Sequence, residues 1–299
     1  MRRDIEFNAD GVTLRGWFYK PKKGKGPFPC VVMAHGFSGT KEMSLDKFAE
    51  VFTAGGLAVL VYDNRCLGAS DGEPRSEIDP TWQRRDYRSA ITFAQGQKEV
   101  DPERIGVWGT SYTGGTVCAV AAIDRRVKCV VSQVPFMRGH HNLQQFLPIG
   151  AVEGFRKMLD EDRVRRVRGE PSAYLKMCSL DPNEPHVFPG SATYNFIHHY
   201  VDKDPKCTWE NRVTLRSIEY MGEYDVMGYM EYISPTPLLM IVAAVDTTTP
   251  TDIALSCYAR VQGPKALHVI QSDHYAAYIE KFDETSAAAR DWFVKHLCY

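Results

Sequence analysis

The stretch Gly109-Thr110-Ser111-Tyr112-Thr113-Gly114-Gly115 decides the fold. A short apolar run precedes it, Arg104-Ile105-Gly106-Val107-Trp108, and a small-residue helical pattern follows, Thr116 to Ala122. A serine between a buried strand and a helix sits on a tight turn. Such a turn lifts the hydroxyl above a sheet and aims a helix N-terminus at whatever the serine attacks. Thr113 stands where G-x-S-x-G has its last glycine, so its branched side chain is expected to crowd the strand–helix approach.

Outward from this turn, apolar strands alternate with helical stretches. Asp4 to Phe7 and Val12 to Tyr19 flank the turn Asn8-Ala9-Asp10-Gly11 and read as a hairpin. Strands are expected at Cys30 to His35, Leu57 to Asp63, Ile105 to Gly109 and Val127 to Val134. Leu45, Phe48, Ala49 and Phe52 fall on one helical face, and Pro80 opens a helix to Gln95. Both faces of the strands are apolar, as in a parallel sheet covered by helices. From Met137 to Ser234 the rhythm breaks, and the segment is richer in Tyr, His, Arg, Met and Pro. Alternation resumes at Pro237 and ends in a helix near Glu284 to Leu297. The expected architecture is an α/β core of residues 1–136 and 235–299, with a helical cap of 137–234 inserted.

Composition bounds the rest. The chain has 299 residues and a formal net charge of −1, without the basic footprint of a nucleic-acid binder. The longest apolar runs, such as Pro237 to Val245, have strand length, so no transmembrane helix is expected. The start, Met1-Arg2-Arg3-Asp4, carries no apolar segment of the secretory kind, and a cytoplasmic protein is expected. Eight cysteines form no C-x-x-C pair and read as reduced thiols, with Cys66 the one to watch. The pairs His140-His141 and His198-His199 lack metal-ligand spacing, so neither a metal nor a cofactor is expected.

A serine needs a base, and the base needs an orienting carboxylate. On this kind of sheet the chain order is Ser, then Asp or Glu, then His. Ser111, Asp246 and His274 meet it. Asp246 closes the apolar run from Pro237, and His274 follows the next strand, in Gln271-Ser272-Asp273-His274-Tyr275. Oxyanion donors are expected from the Tyr112 amide and from the loop His35-Gly36-Phe37-Ser38-Gly39, through Phe37. For the acyl pocket the apolar and aromatic residues in and beside the cap are candidates: Phe136, Met137, Phe146, Leu147, Phe155, Tyr224, Met227, Tyr229 and Tyr232, with Tyr275 beside His274.

These motifs together resemble the α/β-hydrolases. The His-Gly-Phe loop, Tyr62-Asp63-Asn64-Arg65 with Gly68 to Gly72, and the Gly-Thr-Ser-Tyr turn carry the likeness. More narrowly, Pro235 to Met240, Asp246, Thr249-Pro250-Thr251, and Trp209 to Ser217 are similar to fungal polyketide transferases and thiohydrolases, relatives of the dienelactone hydrolases. The resemblance implies a mostly parallel eight-stranded sheet and a serine acyl hydrolase or acyltransferase of secondary metabolism. It would take a polyketide acyl group from a carrier-protein thioester, with Ser111, Asp246 and His274 on the triad positions. The run Arg163-Val164-Arg165-Arg166-Val167-Arg168 is either a solvated helix face or a dock for an acyl carrier protein. A homodimer is left open. So are two other readings, a small-molecule carboxylesterase and a non-hydrolytic cyclase or binding scaffold.

Overall fold

The first hairpin pairs Arg2–Ala9 (β1) with Val12–Tyr19 (β2), in register from Arg2 opposite Tyr19 to Ala9 opposite Val12. The computed structural model describes residues 1–146, 149–205 and 207–299. After β2 come Phe28–Ala34 (β3), helix Leu45–Ala54 (α1), Ala58–Tyr62 (β4), helix Pro80–Gln95 (α2), Val100–Thr110 (β5), helix Tyr112–Ile123 (α3) and Val127–Gln133 (β6). Asp79 caps α2 by accepting from the amides of Thr81 and Trp82, and Pro80 occupies the first turn, where its missing N–H costs nothing.

The chain then leaves the sheet for the cap. The cap carries helices Gly139–Phe146 (α4), Val152–Val167 (α5), Ser191–Val201 (α6) and Leu215–Glu223 (α7). Between them, Tyr174–Leu175 (β7) pairs with Val213–Thr214 (β8) in a small two-stranded sheet. Leu238–Ala243 (β9), helix Thr251–Ala259 (α8), Lys265–Ile270 (β10) and helix Phe282–Leu297 (α9) complete the core.

The large sheet has eight strands in the order β1-β2-β4-β3-β5-β6-β9-β10. The first two pairings are antiparallel and the rest parallel. Period-two alternation separates its two faces. Cys30, Val32 and Ala34 of β3 join α2 and α3 through Tyr87, Ile91 and Val117. Val31 and Met33 join α1 and α9 through Phe48, Phe52 and Phe293. With helices on both faces, every residue of β3, β4 and β9 is buried, which accounts for their unbroken apolar runs. The parallel strands all point their carboxyl ends to one edge, and loops gather there.

Among the described residues no helix is long and apolar enough to cross a membrane. All eight cysteines are free. Cys66 is buried, and burial pushes its thiol up to about 12, so it stays protonated at neutral pH.

Candidate functional site

Ser111 is the single residue between β5 and α3, at φ 54° and ψ −121°. A non-glycine residue in this region carries about 1–3 kcal/mol of strain, so its neighbours must hold it. The Ser111 amide donates to Gln133 O at 2.9 Å, and its carbonyl accepts from Gly114 and Phe136. Gly109 lets the helix approach: a Cβ there would stand 2.1 Å from Thr113 O.

Thr113 does not crowd this approach as its branched side chain suggested. Its hydroxyl is buried at the junction of three elements. It accepts the Thr110 amide at 3.0 Å and has Ala34 O at 2.9 Å and Thr110 O at 3.1 Å as acceptors for its one proton. Tyr87 adds a second tie, accepting from Ala34 N and donating to Trp108 O. The ends of β3 and β5 are thereby locked to the first turn of α3.

The loop after β3 passes close to the serine. A Cβ on Gly36 would lie 3.1 Å from Ser111 Cβ, closer than ordinary contact. The loop is braced from below. The Asn64 amide donates to His35 Nε2 at 3.1 Å, so Nδ1 carries the proton and donates to Gly36 O at 2.9 Å. Burial pushes the His35 imidazole below its ordinary value, and Asp63 at 3.8 Å only partly offsets that. Lys41 anchors the far end, with its amide 2.7 Å and its ammonium 2.6 Å from the buried Asp63 carboxylate. Among the described residues the amides of Phe37 and Tyr112 donate to no group. Their rings meet edge to face at 5.9 Å. Unpaired amides this close to a core are uncommon and await an acceptor.

Asp246 sits in the turn after β9, and His274 follows β10. The turn wraps the carboxylate. Asp246 Oδ1 accepts from the Thr248 and Thr249 amides at 2.9 and 2.6 Å. Its Oδ2 lies 2.8 Å from His274 Nδ1. The Thr249 hydroxyl touches both partners, 3.0 Å from Asp246 Oδ2 and 3.1 Å from His274 Nδ1, with Val134 O at 3.0 Å. Nδ1–H therefore donates to a carboxylate and a hydroxyl, and Nε2 is left as the free nitrogen. His274 is buried, and it lines the same cavity as Ser111. The Ser111 hydroxyl makes no hydrogen bond among the described residues.

The cavity has a volume of about 60 Å³. His35, Gly36, Phe37, Thr110 and Ser111 line its floor, and Met177, Phe188, Thr193, Phe196 and Ile197 of the cap line its roof. Of the pocket residues expected from sequence, Tyr275 lines it; its hydroxyl meets Thr193 Oγ1 at 2.6 Å and its ring stacks on Phe196 at 4.8 Å.

The other expected pocket residues pack elsewhere. Phe136, Met137 and Tyr224 are buried at the foot of the cap, against α3, where Tyr224 OH meets Thr116 Oγ1 at 3.2 Å. That seam is itself a core, and it absorbs aromatic surface before any ligand can. Tyr229 accepts from Arg84 on the outside of α2, under its guanidinium. Tyr232 is exposed. Phe146 and Phe155 line a separate groove in the cap. Leu147 lies outside the described residues. The true roof had one legible signal: Thr193, Phe196, Ile197 and Tyr200 recur at helical spacing on α6. Phe188, in a proline-bounded segment, had none.

The basic run is largely paired. Arg163 and Arg166 both bind Glu219, Arg166 also reaches Asp162, and Arg165 reaches Glu170 at 3.1 Å.

Comparisons with known proteins agree with this architecture. Residues 10–177 match the family model described as X-Pro dipeptidyl-peptidase (S15 family). The chain is 30% identical over 299 residues to a thiohydrolase of Eupenicillium brefeldianum, covering 98% of this chain and 94% of that one. It is 29% identical over 279 residues to the polyketide transferase grgF of Penicillium sp, covering 93% and 90%. The crystal structure of the alpha/beta hydrolase GrgF from Penicillium sp. sh18 superimposes with a TM-score of 0.84 at 27% identity, over the whole of both chains. The chain thus belongs to the α/β-hydrolases of the S15 peptidase family and is related to the fungal polyketide transferases and thiohydrolases.

Proposed function

We propose that the chain is a serine acyl hydrolase or acyltransferase that cleaves an ester or thioester of a polyketide-type acyl chain, with Ser111 as nucleophile. The observation that carries the reading is the His274 ring. Its Nδ1 is bound to a wrapped carboxylate, and its Nε2 is free beside the serine's cavity. In this reading His274 takes the Ser111 proton as the hydroxyl attacks the carbonyl carbon. The Phe37 and Tyr112 amides receive the oxyanion, each worth about 3 kcal/mol to the transition state. The thiol or alcohol leaves with the proton from His274, and the acyl group passes to water or to a second substrate. Asp246 keeps the tautomer and stabilises the imidazolium.

The reading divides the chain into a core of 1–136 and 235–299 and a cap of 137–234. Transfer from an acyl carrier protein is its finer part. With Arg163, Arg165 and Arg166 already paired, docking would rest on the exposed Arg156 of α5 and Arg168 just after it. A cytoplasmic location is a further part; sedimentation decides between a monomer and a homodimer. Intact mass spectrometry after incubation with N-acetylcysteamine thioesters tests the core claim. An acyl adduct on the wild type that is absent in Ser111→Ala supports it; turnover by Ser111→Ala refutes it.

One observation favours a second reading, an esterase for short acyl groups. A cavity of about 60 Å³ lies well below the roughly 300–1,000 Å³ of pockets for larger ligands.

A further inference from the structure

A larger groove of about 490 Å³ lies in the cap, and Phe188, which lines the Ser111 cavity, meets Phe146 of its wall. Leu143, Phe146, Phe155, Met158, Val187 and Ile218 give it an apolar wall. Its polar members are already engaged: Glu184 binds Lys176 and Ser179, and His186 Nδ1 donates to Glu184 O. What remains for a ligand is chiefly hydrocarbon surface.

The partition is thin. Val187 and Pro189 line the cap cavity, while Phe188 between them, at a bend of the chain, lines the Ser111 cavity. The backbone there is fixed, since the Val187 and Phe188 amides donate to Lys176 O and Met177 O. The ring is the free part. It meets Phe146 of the cap cavity edge to face at 5.4 Å, and Phe37 of the oxyanion loop at 6.0 Å. Phe188 is half-buried and packs against the hydrophobic core beside these rings, so only its side-chain torsions are left to vary.

We propose that the cap cavity is the distal acyl-chain subsite of the Ser111 site, taking an unsubstituted medium or long alkyl chain once the Phe188 ring turns aside. The proposal rests on the acyl-transfer reading above. It resolves the mismatch between that reading and the small cavity: the carbonyl end occupies the space at Ser111, and the tail occupies the cap. Continuity with the serine's cavity across one side chain selects an acyl tail over a second copy of the chain as the occupant.

Alkyl fluorophosphonates test it, because they form a Ser111 Oγ–P bond with loss of fluoride whatever chain they carry. The rates of labelling by an ethyl and a dodecyl probe are compared in the wild type, Gly154→Trp, Val187→Trp and Phe188→Ala. Gly154 lines the cavity, and a Cβ there meets nothing within 4 Å, so the first substitution fills the space without displacing the helix backbone. The expected result is a dodecyl rate at least tenfold lower in both filled variants, an ethyl rate within twofold of wild type, and a raised dodecyl-to-ethyl ratio in Phe188→Ala. Unchanged dodecyl rates in both filled variants overturn the subsite, while ethyl labelling keeps the acyl-transfer reading. So does an equal fall for both probes in both variants, which moves the effect to the nucleophile. A change in sedimentation without a change in labelling assigns the groove to self-association and also overturns it. No ethyl labelling of the wild type defeats the acyl-transfer reading itself, and the subsite with it.

Discussion

Replacing Thr113 by glycine would restore the G-x-S-x-G spacing, and the structure predicts that it weakens the protein. The Thr113 hydroxyl is the partner of the buried Thr110 amide and has Ala34 O in reach for its own proton. Stranding a buried amide costs about 1–3 kcal/mol, and losing the second bond about 0.5–1.5 kcal/mol. Glycine in the first turn of α3 adds roughly 0.5–1 kcal/mol of backbone entropy. The loss should fall at about 2–5.5 kcal/mol. Thr113→Ser keeps the hydroxyl and sacrifices one buried methyl, about 1 kcal/mol. Thr113→Val keeps the shape and loses the hydroxyl, so it should lie near the glycine variant. Urea unfolding read by fluorescence gives the order, as shifts of midpoint at constant slope. Labelling by the ethyl fluorophosphonate gives the functional side. Ser111 is held in a strained conformation by the tie that Thr113 makes, and a displacement of about 1 Å costs on the order of 10²-fold in rate. A glycine variant as stable as wild type, or a valine variant matching serine, would refute the argument that the hydroxyl holds the turn.

Other outcomes follow from the same geometry. Asp246→Asn should lower labelling of Ser111 about 10³- to 10⁴-fold with an unchanged unfolding midpoint, because the amide inverts the His274 tautomer; a loss under tenfold contradicts the assigned role. Thr249→Val removes the hydroxyl shared by Asp246 and His274 and strands Val134 O, so it should cost about 1–3 kcal/mol and slow labelling, with Thr249→Ser restoring both. Stability should fall as pH drops through about 6.5, because the unfolded chain takes up a proton there that buried His35 refuses. The sign follows from the depressed native value: the unfolded state binds more protons in that window. Urea midpoints at pH 7.5 and 5.5 should diverge in wild type and converge in His35→Asn; equal acid sensitivity in both removes His35 from the account.

The turn bearing Ser111 could be read from sequence because its determinants are local. A strand, a serine and a glycine-flanked helix start lie within a dozen residues. Asp246 and His274 were legible for a related reason: each follows an apolar run, and parallel strands deliver their ends to one edge. Here the structure joins them at 2.8 Å. Thr249 escaped notice since a threonine in the turn after a strand is ordinary until its hydroxyl is seen between two side chains. The pocket wall went wrong for Phe136, Met137 and Tyr224. An aromatic residue near the cap's foot carries the same composition signal whether it faces a ligand or α3.

By itself the sequence determined the alternation of strands and helices, the strand-to-helix turn bearing Ser111, and the chain order of Ser111, Asp246 and His274, since hydrophobic period and chain order survive in one dimension. Tertiary structure decided what those elements share: that Thr113 fastens three of them, that α6 rather than the foot of the cap roofs Ser111, and that Phe188 of the cap lines the same cavity as Ser111. Such contacts join faces of elements far apart in the chain, and close packing selects which faces meet.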